Sequence, residues 1–408
     1  MKALALFLVL GGASVSFGAP RPPDLGEARV SPEVRVLRDL GPNEFQRTAS
    51  RLQGVYENRD VKLHLELAPG ILAEEFLRQN PELAMKSDVQ VVLGNELQLL
   101  AGLEQLGWLS GYEEIHRIRR PAFARPKAYV SEGVEELFES EQWSARGITG
   151  EGVKVAVIDV GFRGYKEVLG EELPLYTNAS GLEGAWEEDN HGTAVAEIIH
   201  DVAPGAEIAL YSFETELEFR LILRQFAEGE LEADVINASV GFDNVWHVDG
   251  TSPYSQAVDA VVDAGIFYVA AAGNEAENYR WGTLSDIDGN GYLEIDGEEG
   301  IWISAGRFGS SYLAEASLRW SDGMEASGTD LDLLITDETD SVECGRSENP
   351  QEGADSPFEY VSCSLDTSWA LAWIVDYSSG AARGKTAWIY RYAGVDSSQM
   401  VQSGTLTL

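Results

Sequence analysis

Two residues spaced for acid–base chemistry stand out from the 408-residue chain: Asp159 closes the apolar run VAVID (Val155 to Asp159), and His191 opens NHGTAVAEII (Asn190 to Ile199) 32 residues later. A hydroxyl attacks poorly at neutral pH unless an imidazole accepts its proton, and the imidazole needs a carboxylate to fix its tautomer and stabilise its cation. Asp159 and His191 have the side chains for the last two roles. Asn274 ends a run of small residues, Ala270 to Gly273. Its amide is suited to donate to an oxyanion, a contribution of about 3 kcal/mol where it has been measured. The spacing thus describes nucleophilic acyl transfer with two of three partners visible.

The elements that must hold these groups follow a pattern from Val153 onward. Short continuous apolar runs alternate with helical stretches: VKVAVID, a helix from Thr193, EIALYSF, a helix near Leu217 to Glu228, VINASVG, a helix from Tyr254 to Ala264, and IFYVAAAGN. Strands buried on both faces and joined by helical crossovers give an α/β fold with a doubly wound parallel sheet. Ligands of such sheets sit outside the carboxyl ends of the strands, where Asp159, Asn237 and Asn274 fall. Gly192, after His191, leaves room for a substrate or a neighbouring strand to approach the ring.

In this order, VAVIDVGF, NHGTAVAEII, VINASVG and AAAGN resemble the motifs of the subtilisin-like serine peptidases (subtilases, peptidase S8) across about Gly150 to Glu275. The resemblance implies that Asp159 orients the base, His191 is the general base and Asn274 stabilises the oxyanion. It also implies that Ser239, Val240 and Gly241, with Ala271 and Gly273, bind protein or peptide substrates, and that the segment before Thr149 is the enzyme's own propeptide. The family's nucleophile follows the oxyanion Asn in a Gly-Thr-Ser motif, and none follows Asn274 here. Gly250-Thr251-Ser252 precedes Asn274, and Ser252-Pro253 reads as a helix cap and first helical residue. Two readings stay open. One is an endopeptidase whose serine lies beyond Leu408, with a β-rich insertion resembling the pre-peptidase C-terminal type. The other is a catalytically dead binding or adhesion protein on the same fold.

Composition bounds the remaining classes. A net charge of −39 argues against nucleic-acid binding. Met1-Lys2, the apolar Ala3 to Leu10 and small residues to Ala19 read as a cleaved signal peptide (1–19), hence a secreted protein with no membrane span. Residues 20–128 form a small α+β propeptide and a Pro- and Arg-rich linker, 129–283 the first part of the catalytic domain, and 284–408 a β-sandwich with an acidic entry. Export makes a bridge between Cys344 and Cys363 plausible, with neither zinc nor an organic cofactor implied. DIDGNGYLEIDGE (Asp286 to Glu298) resembles the first half of an EF-hand loop. Calcium is therefore expected there, with Asp286, Asp288 and Asn290 as ligands and Glu294, Asp296 or Glu298 completing the shell. The tryptophans Trp320, Trp369, Trp373 and Trp388 are expected in the core rather than on a binding platform.

Overall fold

The computed structural model describes residues 29–49, 53–56, 58–126, 139–174, 178–181, 189–242, 244–247, 249–273, 278–308, 311–324, 326–351, 353, 355–378 and 380–391. The expected signal peptide 1–19, residues 127–138 and Asn274 lie outside them. The chain forms two compact units, Asp60–Gly102 with Glu113–Asn274, and Met1–Arg59 with Leu103–Tyr112 and Glu275–Leu408. Among the described residues no helix is long and apolar enough to cross a membrane.

The first unit opens with an antiparallel sheet of β1 (Asp60–Leu67), β2 (Asp88–Leu93), β3 (Glu96–Gly102) and β4 (Ile115–Arg119), in the order β2-β3-β1-β4. Strand alternation in DVKLHLEL sends Val61, Leu63, Leu65 and Leu67 to one face, where all are buried, and Lys62, His64 and Glu66 to the other. A short strand, β5 (Arg125–Pro126), follows.

The same unit contains a five-stranded parallel sheet built from β6 (Lys154–Asp159), β7 (Asn178–Gly181), β8 (Glu207–Ser212), β9 (Val235–Ala238) and, after the short β10 (Val240–Gly241), β11 (Phe267–Ala270). Its order is β11-β9-β6-β8-β7. The connecting helices are α1 (His191–Val202), α2 (Glu216–Ala227) and α3 (Pro253–Asp263). Ala156 and Ile158 pack with Phe219, Leu223 and Val261 from α2 and α3, whereas Val157 and Leu210 pack with Val195 and Ala196 from α1. The apolar run of β6 is continuous because both its faces are covered.

The second unit holds ten antiparallel strands: β12 (Tyr279–Ser285), β13 (Tyr292–Ile295), β14 (Ile301–Ser304), β15 (Gly306–Phe308), β16 (Ser311–Trp320), β17 (Leu331–Asp337), β18 (Glu343–Ser347), β19 (Phe358–Leu365), β20 (Trp369–Asp376) and β21 (Thr386–Arg391). The expected sandwich is instead one sheet that curls almost into a barrel. Hydrogen-bonded neighbours run β19-β16-β21-β12-β13-β20-β17-β18. Among the described residues no ladder joins β18 to β19, and the Cys344–Cys363 disulfide bridges that gap. Leu318, Ile335, Cys363, Ile374 and Ile389 share a single interior, enclosed by the continuous ladder.

The tryptophans divide by alternation. Trp320 and Trp388 are buried, but on β20 the inward positions belong to Ala370, Ala372 and Ile374, so Trp369 faces out at 46% exposure and Trp373 is half-buried. The expectation of four core tryptophans therefore fails for Trp369.

Candidate active site

Asp159 and His191 meet because two loops are laced together over the carboxyl end of β6. The His191 ring Nδ1 lies 2.8 and 2.9 Å from the two Asp159 carboxylate oxygens, and Asp159 Oδ1 also accepts the Val160 N–H at 2.8 Å. His191 is the first residue of α1, and its backbone N–H donates to Asp189 Oδ1 at 2.8 Å. Gly192 N–H donates to Gly161 O at 2.9 Å, and Arg163 N–H to Asp189 O at 2.8 Å. A Cβ on Gly192 would stand 2.5 Å from the Phe162 ring, 2.6 Å from Gly161 O and 2.8 Å from Asp159 Cβ. The space at Gly192 is thus filled by the turn that carries Asp159, not kept for a substrate.

Asp159 is fully buried. Burial pushes its carboxyl upward, opposed by the hydrogen bond from His191 and the Val160 N–H. A neutral imidazole that donates Nδ1–H to Asp159 carries its lone pair on Nε2, the tautomer a general base requires.

Of the residues named for substrate binding, Val240 and Gly241 pair with a segment of this chain. β10 pairs antiparallel with β5, Val240 opposite Pro126 and Gly241 opposite Arg125. On the other side, Ala124 N–H donates to Glu214 O at 2.8 Å, and Phe123 forms a bridge with Thr215. Residues 123–126 therefore run extended between β10 and the Glu214–Thr215 segment at the head of α2, with Ala124 buried against Phe213 and Phe219. Ser239 stands outside this ladder, its hydroxyl accepting from Asn237 Nδ2 at 3.1 Å. Ala271 N–H reaches Ala238 O at 3.4 Å, and Gly273 has a φ of 89°, a backbone state that favours glycine. Ser252 caps α3, accepting the Ser255 N–H at 3.0 Å, with Pro253 in the first turn.

Sequence reasoning passed over the polar face of β1, which the alternation of Lys62, His64 and Glu66 could have revealed. His64 is buried, with Nδ1 3.1 Å from Glu216 and Nε2 3.3 Å from Glu96. Lys62 pairs with Glu214, Arg119 reaches Glu66 at 2.8 Å and Glu216 at 2.6 Å, and Gln98 Nε2 donates to Glu218 at 2.7 Å. Burial pushes Glu66 and Glu96 up, yet Arg119 and His64 around Glu66, and His64 and Arg220 around Glu96, outweigh it and hold each at about 2. Thr215 and Glu218 form a capping box at the head of α2, so this cluster sits on a rigid helix start.

In the acidic loop the carboxylates of Asp288, Glu294 and Glu299 converge to within 4.8 Å. Asn290 Nδ2 donates to Asp288 at 3.2 Å and to Glu299 at 2.8 Å. The other expected ligands are engaged elsewhere: Asp286 with Arg383 at 2.8 Å, Asp296 with the Thr283 N–H at 3.2 Å, and Glu298 with Arg280. Counting the loop from Asp288 rather than Asp286 puts Glu299 at the twelfth position, the place of the bidentate acid. The same count puts Leu293 at the sixth position, where such loops carry glycine.

The model of the family described as Peptidase_S8, the subtilase family, matches residues 150–371, more than half of the chain. Among solved structures, the chain is similar to the epidermin leader peptide processing serine protease EpiP of Staphylococcus aureus, with 17% identity and a TM-score of 0.32 over 53% of this chain and 60% of that one. It is also similar to the serine protease MycP1, an essential component of the type VII (ESX-1) secretion system, with 21% identity and a TM-score of 0.24 over 41% of this chain and 55% of that one. The chain thus spans less than two thirds of either.

Proposed function

The chain belongs to the subtilase family, and from that premise we propose that it is the greater part of a secreted serine endopeptidase in its precursor form. The observation that carries the reading is the 2.8 Å contact between His191 Nδ1 and Asp159, in a chain whose β10 pairs with the extended segment Arg125–Pro126. In this reading Asp159 fixes the tautomer of His191, and His191 Nε2 takes the proton of the attacking serine and returns it to the leaving amine. Asn274 donates to the oxyanion, and Ser239 to Gly241 align the substrate backbone with the help of Ala271 and Gly273. The sheet β1 to β4 and the strand at 123–126 are the propeptide and its tail.

The nucleophile comes from sequence after the barrel. Phe267 and Val269, on the edge strand of the parallel sheet, lie 67% and 39% exposed, an apolar edge that a following strand and a serine-bearing helix would cover. The 408-residue chain is therefore expected to take no label from a serine-directed phosphonate, whereas the same chain continued through its following sequence is labelled at a serine beyond Leu408. Label on Ser252 would overturn this assignment. No label on either form leaves a binding protein on the subtilase fold.

The acidic loop is proposed as a calcium site with Asp288, Glu294 and Glu299 as ligands and the Asn290 carbonyl turned inward. Three converging carboxylates are the hard oxygen donors this ion takes, and an ion there would relieve their repulsion. Calcium at about a hundredfold over its Kd is expected to raise the melting temperature of the barrel by about 10 °C. Asp288→Asn with Glu299→Gln abolishes the effect in calorimetric titration, whereas Asp286→Asn retains it. No heat of binding by the unchanged chain removes calcium from the account.

A further inference from the structure

We propose that Glu216 forms a distal cationic subsite, so that the cleft takes extended peptides bearing an arginine upstream of the residues that pair with Val240 and Gly241. The proposal rests on reading the cleft beside Ser239 to Gly241 as the substrate cleft.

Most contacts that hold the seated segment are made to its main chain. Val240 and Gly241 pair with Pro126 and Arg125, Ala124 N–H reaches Glu214 O, and Glu216 N–H donates to Ala122 O at 3.0 Å. Such bonds position a strand without reading its sequence. Glu216 adds a second kind of contact. One carboxylate oxygen accepts the Ala122 N–H, and the other stands 2.6 Å from Arg119 Nη1. A single side chain, 1% exposed, thus fixes the strand's distal end and meets a guanidinium three residues further upstream.

The electrostatics require a cation there. Glu214, Glu216 and Glu218 occupy alternate positions at the start of α2, and the N-terminal sheet answers them with Lys62, His64 and Gln98, while Glu66 and Glu216 share Arg119. The helix dipole favours acids at this end by only about 0.3–1 kcal/mol each. A buried carboxylate without a partner costs several kcal/mol. When that sheet leaves, its Lys62 and His64 leave with it and water solvates the three acids, so a peptide that covers Glu216 again must supply a positive charge to offset the renewed desolvation. The chain's own occupant does so, since HRIRRPAFARPK from His116 to Lys127 contains no acid. The net charge of −39 draws such peptides in from a distance.

A binding test separates the subsite from the reading of the cleft. The full chain, carrying a site for a sequence-specific protease within 131–138, is cut there once so that its N-terminal part becomes a separable ligand. Competition for that ligand's place is followed with a fluorescent peptide of residues 117–126 (RIRRPAFARP) and with its Arg119→Gln form. A charge-assisted hydrogen bond predicts that the arginine peptide competes about 10- to 100-fold better. On a Glu216→Gln chain the ratio is expected to fall below about threefold. Equal competition by both peptides on the unchanged chain overturns the subsite while the cleft reading stands. Failure of both to compete, where the re-added N-terminal fragment does, overturns the cleft reading and the subsite together. If Glu216→Gln does not fold, as judged by circular dichroism, the peptide pair on the unchanged chain decides alone.

Discussion

Asp159→Asn is expected, on the proposed peptidase reading, to lower kcat/KM of the chain continued to its nucleophile by about 10⁴, the size seen when the triad carboxylate of serine peptidases is changed, and to leave the melting temperature nearly unchanged. The two outcomes separate because the carboxylate has opposite effects on chemistry and on folding. For chemistry, an amide in its place can offer its N–H₂ to His191 Nδ1 and stabilise the tautomer with the proton on Nε2, which cannot accept one from serine. For folding, Asp159 is fully buried and burial pushes its carboxyl upward, so an uncharged isostere removes a desolvation cost along with the hydrogen bond from His191. Peptide hydrolysis and thermal melting on the same preparation check both halves. A loss of less than tenfold would remove Asp159 from the proposed mechanism, and a collapse in melting temperature would make its role structural.

The parallel sheet was legible because its strands write continuous apolar runs: VKVAVID could be placed as a strand buried on both faces, and its terminal Asp159 at the end where chemistry gathers. The cap at Ser252 was legible for a local reason, since Ser-Pro before a helical stretch satisfies orphan N–H groups with no help from the rest of the fold. What could not be read depends on contacts between distant segments. Nothing local in VKLHLEL says that its polar face will be covered by the head of α2, so His64 carried no signal until Glu96 and Glu216 closed around it. Alternation fixes which side chains face inward but not which strands pair, so the same pattern suits a sandwich and the barrel alike. The ladder from β12 to β13, which makes one sheet of two, is set by a turn whose acidic residues read as a metal loop. There the residue types were legible and their register was not, since counting from Asp286 puts Gly291 at the sixth position but Gly297 at the twelfth, whereas counting from Asp288 puts Glu299 at the twelfth but Leu293 at the sixth.

Gly192→Ala is expected to cost about 1–3 kcal/mol of stability and on the order of 10²-fold in kcat, although it touches no substrate. The added methyl group would meet three neighbours at once: the Phe162 ring at 2.5 Å, Gly161 O at 2.6 Å and Asp159 Cβ at 2.8 Å. Real Cβ atoms do not approach so closely, so something must move. The ring could turn aside, but the carbonyl belongs to a backbone held by the Gly192 N–H at 2.9 Å, and Asp159 ends a strand paired on both sides. The movement that relieves the clash separates the first turn of α1 from the end of β6, which is the coordinate that sets the distance from His191 to Asp159. Shortening the obstructing side chain discriminates between the neighbours. Phe162→Leu added to Gly192→Ala is expected to restore part of the melting temperature and little of the activity, because the carbonyl and Asp159 Cβ remain. Full recovery of activity in the double variant would show that the ring alone sets the constraint and that the backbone contact between Gly161 and Gly192 does not hold the pair in place.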